Sequence, residues 1–214
     1  MPTPEQARAW LPLDDPVHDY DHVMRVYSMA EIIAKEEGAD LEIVRAAALL
    51  HDAVGSTPNA QPASHRNNHH GNSAEYALVV LKQEGWSDDR IKAVQHCIRA
   101  HRFRFTTERP ETIEAKVLYD ADKLDVLGAI GAARTIAYAI LAGQPVYAQP
   151  SEKFLKTGTK EPGEPHSSYH EFLFKLIKVK DTLHTETARR IAAARHDFLV
   201  AYYQELVAEA SGEK

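Results

Sequence analysis

The sequence holds one cysteine, Cys97, in 214 residues, so no internal disulfide can staple the fold and a reducing cytoplasm suits it. It lacks any apolar run near the roughly 18 residues that a membrane span needs. Its start, Met1-Pro2-Thr3-Pro4-Glu5-Gln6, lacks the basic-then-apolar build of a secretory signal. Strand-like alternation is nearly absent, and there is no internal repeat or low-complexity tract. Positive charge is in deficit: 25 Lys and Arg against 31 Asp and Glu leave a net charge of −6. That balance excludes a general attraction to long nucleic acid or to an anionic membrane. Any phosphate bound here must be held by local cations or by a metal. A chain 44% apolar and 26% charged is not disordered wholesale, and its length suffices for a well-buried core.

What the sequence has in plenty is histidine. Twelve occur, about twice the ordinary usage, which makes metal chemistry the first thing to test.

The periodicity is helical throughout. Residues 22–36 place Val23, Val26, Ala30, Ile33 and Ala34 on one face, and Gly38 ends that helix. Asp40 can cap a second, whose inner face runs Val44, Ala47, Ala48 and His51. Residues 56–72, polar and rich in His and Asn, read as a loop. A third helix starts near Ser73, with Ala74, Ala77, Leu78 and Leu81 inward, and ends at Gly85. Ser87 caps a fourth, with Ile91, Val94, Ile98 and His101 on one face, and His96 and Cys97 pointing away. A long fifth pattern runs from about Thr112 to Ala142. Residues 143–167 carry Gly143, Pro145, Pro150, Gly158, Pro162, Gly163 and Pro165 and read as a long loop or lid. Ser168-Tyr169-His170-Glu171 predicts a capping box. The helix after it turns Phe172, Leu176 and Val179 inward. A last helix, about Thr185 to Ala208, turns Ala188, Ile191, Ala192, Phe198, Leu199, Tyr202 and Leu206 inward.

Four polar residues fall on apolar helix faces: His22, His51 with Asp52 beside it, and Asp122. Asp122 shares its face with Ala115, Leu118 and Ala129, and a carboxylate there is costly unless paired or bound to a cation. Asp120 lies about 200° round the helix and faces elsewhere, while Asp125 shares the Asp122 side and can support it. Each residue alone is more readily a hydrogen-bonded core group than a ligand. Together, two imidazoles and two carboxylates suit a divalent cation with open positions, whether Mn²⁺, Mg²⁺, Fe²⁺, Zn²⁺, Co²⁺ or Ni²⁺.

His22, His51-Asp52 and Asp122 reproduce the H…HD…D pattern, and the chain resembles the HD-domain superfamily of metal-dependent phosphohydrolases. Asp21-His22-Val23-Met24-Arg25-Val26 resembles its first ligand helix, and Ala46-Ala47-Ala48-Leu49-Leu50-His51-Asp52 its second. The segment Ala115–Gly131 and the tail Phe174–Leu199 are similar to a bacterial, YedJ-like branch of HD hydrolases, so the resemblance covers nearly the whole chain. It implies an all-α fold: one HD-type domain over 1–214, a helical bundle of six or more helices. Its metal-site core would span about 18–142, and the helices of 168–210 would pack on it. It implies a cation held by His22, His51, Asp52 and Asp122, and hydrolysis of a small phosphorylated molecule, best a nucleotide, of the pyrophosphohydrolase or phosphomonoesterase type. Arg25, Arg66, Lys123, Lys175 and Lys178 are the candidate phosphate-binding cations; Lys175 and Lys178, three apart on one expected helix, can face a single anion. His69 or His70 with His101 can hold a second ion bridged by Asp52, or can serve as the general acid. A di-iron oxygenase and a non-catalytic nucleotide-binding module are the competing readings. A homodimer is compatible with all of them.

Overall fold

Ten α-helices and one 3₁₀ helix make up the computed structural model, which describes residues 1–11, 19–54, 69–102 and 108–214; no strand occurs among them. The all-α expectation therefore holds. The chain divides into two units, Met1–Asp122 with Leu183–Ala188, and Lys123–Thr182 with Arg189–Lys214.

The first unit contains α1 (Pro4–Arg8), α2 (Tyr20–Glu37), α3 (Leu41–Leu50), α4 (His69–Gln83), α5 (Asp88–Ala100) and most of α6 (Ile113–Leu124). Local chemistry sets the ends. The Asp19 carboxylate accepts from the His22 amide at 2.8 Å and caps α2, and Gly38 closes that helix at φ 71°. Asp40 accepts from the Glu42 and Ile43 amides and caps α3; such caps contribute about 1 kcal/mol each. Helix α2 packs on α3, α3 on α5, and α4 on α5. Val26, Ala30, Ile33, Ala47, Leu50, Leu81, Ile91 and Ile98 are fully or almost fully buried between them. α1, which the sequence pattern did not announce, adds Ala7, and the turn after it Leu11, to Val23 and Leu49.

Two expectations need correction in this unit. Residues 69–72 are not loop but the first turn of α4. Cys97 does not point outward; it is completely buried, because α5 is covered by both α3 and α4 and so buries a wider arc than one apolar stripe. Burial drives its thiol pKa far up, which suits an inert core cysteine.

Asp120 is fully buried, facing away from Asp122 as its spacing requires. Its carboxylate accepts from the amides of His184 and Thr185 and from the Thr185 hydroxyl at 2.6–3.1 Å. Burial raises its pKa against the pull of these bonds. Thr185 in turn caps the last helix, α10 (Glu186–Ser211), through the Ala188 amide.

The second unit holds the last residues of α6, then α7 (Gly128–Leu141), α8 (Glu152–Thr157), α9 (Ser168–Phe174), the 3₁₀ helix Leu176–Thr182 and α10 from Arg189. The long fifth pattern is thus two helices, not one. The chain breaks at residues 125–127, and Gly128 takes φ 69°, where the Arg195 stem lies 3.2 Å from the position of a Cβ. A Cβ on Gly131 would lie 2.2 Å from the Val126 carbonyl oxygen, so only glycine allows the new helix to start so tightly. As a consequence Ala129 is exposed rather than in line with Asp122.

Segment 143–167 is not a bare loop. Ser151 caps α8 through the Phe154 amide. The Glu164 carboxylate gathers the Ser151 amide and hydroxyl, the Glu161 amide and the buried His170 ring. The expected capping box does not form: Ser167, one residue earlier, caps α9 through the His170 amide, and the Glu171 side chain turns to His166 and Lys175. The helix then breaks at Lys175 into the 3₁₀ turn, so Lys175 and Lys178 are not on one helix. Phe172, Leu176 and Val179 are buried as expected. Phe198, expected inside, is 50% exposed; Tyr203 is buried in its stead, stacked on Phe172 at 4.4 Å.

Candidate metal centre

His22 sits at the third position of α2, its amide held by the Asp19 cap. His51 is the residue that ends α3, with Asp52 next in the chain. His101 ends α5 in the same manner. All four are buried, with His22 and His51 fully so. Asp122 lies in the last turn of α6, its side chain 15% exposed.

The histidine tautomers follow from their partners, since a backbone carbonyl can only accept. His51 Nδ1 donates to the Ala48 carbonyl at 2.8 Å, and His101 Nδ1 donates to the Ile98 carbonyl at 2.5 Å. In both, Nε2 is left to face the site. His51 Nε2 is buried with no hydrogen-bond partner among the described residues, 3.5 Å from Asp52 Oδ2. His22 Nε2 lies 3.7 Å from the same oxygen and 3.6 Å from Asp122 Oδ1. His101 Nε2 lies 3.8 Å from the other oxygen, Asp52 Oδ1. The imidazoles meet edge to face, with ring centres 5.5 Å apart for His22 and His51 and 5.3 Å for His51 and His101.

These separations are too long for hydrogen bonds. They are near the roughly 3.0–3.4 Å that separates neighbouring donors sharing a cation with bonds of about 2.1 Å. His22, His51 and Asp52 each offer an atom, all within 4.8 Å of one another, and so could hold a metal ion. A buried imidazole nitrogen without a proton or a partner is otherwise unfavourable, and a cation satisfies it. The donor set of nitrogen and carboxylate oxygen fits a divalent ion of borderline softness.

The remaining sequence candidates are placed as follows. Arg25 is half-buried one turn after His22. His70 is half-buried in the first turn of α4. Lys123 is buried at the end of α6. Asp125 is bound to Arg134 through a 2.7 Å ion pair, so its support goes to that arginine. Lys175 pairs with Glu171 at 3.6 Å, and Lys178 is exposed over the Phe174 ring at 5.7 Å. Arg66 and the His69 side chain lie outside the described residues. Sequence reasoning missed Ser73 as a support: its buried hydroxyl accepts from the Val54 amide at 3.2 Å and ties α4 to the turn that follows Asp52. Only its small polar character on an apolar face hinted at that.

The HD domain family model matches residues 19–127, the stretch containing all of these clustered residues. The chain belongs to the HD domain family. It is 32% identical over 216 residues to the uncharacterized protein YpgQ of Bacillus subtilis (strain 168), covering 97% of this chain and 94% of that one. The crystal structure of YpgQ in complex with ADP superposes with a TM-score of 0.69 at 31% identity, covering 95% of this chain and 96% of the other. An HD-superfamily hydrolase from Bacillus thuringiensis gives 0.69 at 27% identity, covering 97% and 94%. A structure from Lactobacillus plantarum gives 0.74 at 27% identity, covering 98% and 95%.

Proposed function

We propose that this chain is a metal-dependent phosphohydrolase acting on a small phosphorylated molecule, a nucleotide by preference, of the pyrophosphohydrolase or phosphomonoesterase type. One observation carries the reading: the buried His51 Nε2, with no hydrogen-bond partner among the described residues, aimed at an Asp52 carboxylate that also faces His22 and His101. The ADP complex of the similar YpgQ supports the choice of a nucleotide.

His22, His51, Asp52 and Asp122 would hold the ion. When bound, a divalent cation supplies Lewis-acid polarisation of a phosphoryl oxygen and makes water nucleophilic near neutral pH. The chain's residues do the rest. The Ala48 carbonyl keeps the proton on His51 Nδ1, so Nε2 stays available as a donor of its lone pair. Asp52 orients one oxygen to His22 and His51 and the other to His101, where it can take a proton from the attacking water. His101 Nε2, or His70 in the first turn of α4, would hold a proton for the leaving group. Arg25, Lys123, Lys175, Lys178 and Arg66 would bind the phosphate and offset its growing charge.

Purified protein incubated with Mn²⁺ or Mg²⁺ and a panel of nucleoside mono-, di- and triphosphates should release phosphate or pyrophosphate from at least one member. If wild type is no faster than Asp122→Ala on every member, the reading fails.

A further inference from the structure

Within the second unit, Leu124 at the end of α6 and Asp125 after it are fastened from two directions. Arg195, on α10, donates from Nη1 to the Leu124 carbonyl at 2.7 Å. Arg134, on α7, donates from Nη1 to the Asp125 carboxylate at 2.7 Å and to the Asp125 carbonyl at 3.3 Å. Leu124 ends α6, and its carbonyl, like that of Asp125 just beyond, has no partner within the helix; the Leu127 amide donates to Leu124 from outside it at 3.3 Å, and Arg195 is the second donor. The Arg195 stem also packs against Gly128, where a Cβ would meet it at 3.2 Å, and Gly131 leaves no room for a Cβ beside Val126. The joint between α6 and α7 is therefore closed by two guanidinium groups and two glycines, two residues after Asp122.

We propose that Arg195 and Arg134 are positioning residues for the metal centre: by bonding the carbonyls and carboxylate at the end of α6, they fix the last helical turn and with it the Asp122 carboxylate. A terminal helical turn frays readily when its carbonyls are left to water, and a ligand on a frayed turn binds more weakly. A cationic group at this end also complements the helix dipole, which a neutral replacement forgoes. The inference rests on the reading of Asp122 as a ligand.

The test uses Mn²⁺ alone, with the free ion followed by electron paramagnetic resonance, on the full chain. Circular dichroism confirms that each variant is folded at the titration temperature. Arg195→Gln should weaken Mn²⁺ binding about tenfold, in the range found for groups that orient metal ligands, and Arg195→Lys should recover most of that loss. A merely structural arginine would lower the melting temperature and leave the Mn²⁺ affinity of the folded protein within twofold of wild type, which overturns the proposal. Should Arg195→Gln fail to fold, Arg134→Gln loosens the same joint and is judged by the same thresholds. Asp122→Asn separates the two levels. If it leaves Mn²⁺ binding intact, the ligand reading itself is wrong; if it weakens binding while the arginine variants do not, only the positioning role is wrong.

Discussion

His51 and His101 are the same device used twice: each ends a helix, donates Nδ1–H to the carbonyl three residues back, and turns Nε2 toward a different oxygen of Asp52. The backbone of α3 and α5 thereby sets both the tautomer and the direction of two imidazoles. It also gives the two oxygens of Asp52 different neighbours, which bears on how the variants should differ.

Asp52→Ala and Asp122→Ala should each lower kcat/KM by at least about a hundredfold, since each removes an anionic donor from the proposed ion. Their melting temperatures without added metal should stay close to, or above, that of wild type, because two carboxylates that face one imidazole repel each other. Thermal melts with EDTA and with Mn²⁺ check this. Equal stabilisation of wild type and Asp122→Ala by Mn²⁺ would contradict it.

His101→Ala should separate binding from turnover. With His22, His51, Asp52 and Asp122 intact, affinity for one Mn²⁺ should remain within about threefold, while kcat falls about a hundredfold through loss of a proton donor. Ion counting by plasma mass spectrometry on both proteins gives a direct check. A drop from two ions to one would reassign His101 as a ligand.

The Glu164 cluster predicts an acid-sensitive second unit. Burial raises the Glu164 pKa, but hydrogen bonds from Ser151, Glu161 and His170 outweigh it and bring it down to about 2, from an ordinary 4.5. A depressed carboxylate stabilises the fold fully above its unfolded pKa and loses that contribution as pH falls through the folded value. His170 acts in the same sense from higher pH. Burial lowers its pKa below 6.5, partly opposed by Glu164, so protonating it also favours unfolding. The melting temperature should fall as pH is lowered from 6.5 towards 2, and Glu164→Gln should flatten the part below pH 4.5. Amide exchange over residues 144–170 locates the effect.

Gly131→Ala should destabilise by about 2–3 kcal/mol, since its Cβ meets a backbone carbonyl that cannot rotate away. For a chain of this size that is about 5–10 °C in the melting temperature. Gly143→Ala is the comparison: a Cβ there meets nothing within 4 Å, so only the strain of φ 67° remains.

Asp120→Ala should cost about 2–4 kcal/mol, because it leaves two amides and a hydroxyl without their acceptor at the start of α10. Urea titration of the two proteins, compared at equal m-value, measures it.

Helices marked by a stop or cap residue and an unbroken apolar stripe were legible, as Gly38 after α2 and Asp40 before α3 demonstrate. So was the placement of His51 on an inner face, because that face is apolar on both sides of it. The break after Leu124 was not legible. The apolar rhythm continues across it, and the groups that hold it include Arg195, 71 residues further on. Cys97 was misjudged because one stripe was assumed where two neighbouring helices cover α5. α8 is six residues long, too short for any period to show. Phe198 and Tyr203 exchanged roles because the choice depends on a stacking partner, Phe172, on another element. The expectation that Lys175 and Lys178 share one helix failed for a similar reason: the turn tightens at Leu176, and spacing in the sequence does not register that.

That two of the clustered imidazoles are the final residues of their helices has a thermodynamic corollary. Terminal turns are the first part of a helix to open, so occupancy of the centre and closure of these ends form one equilibrium. Chelation should then register as faster amide exchange over 48–51 and 98–101 while the interiors of α3 and α5 stay protected, making the backbone itself a reporter of loading.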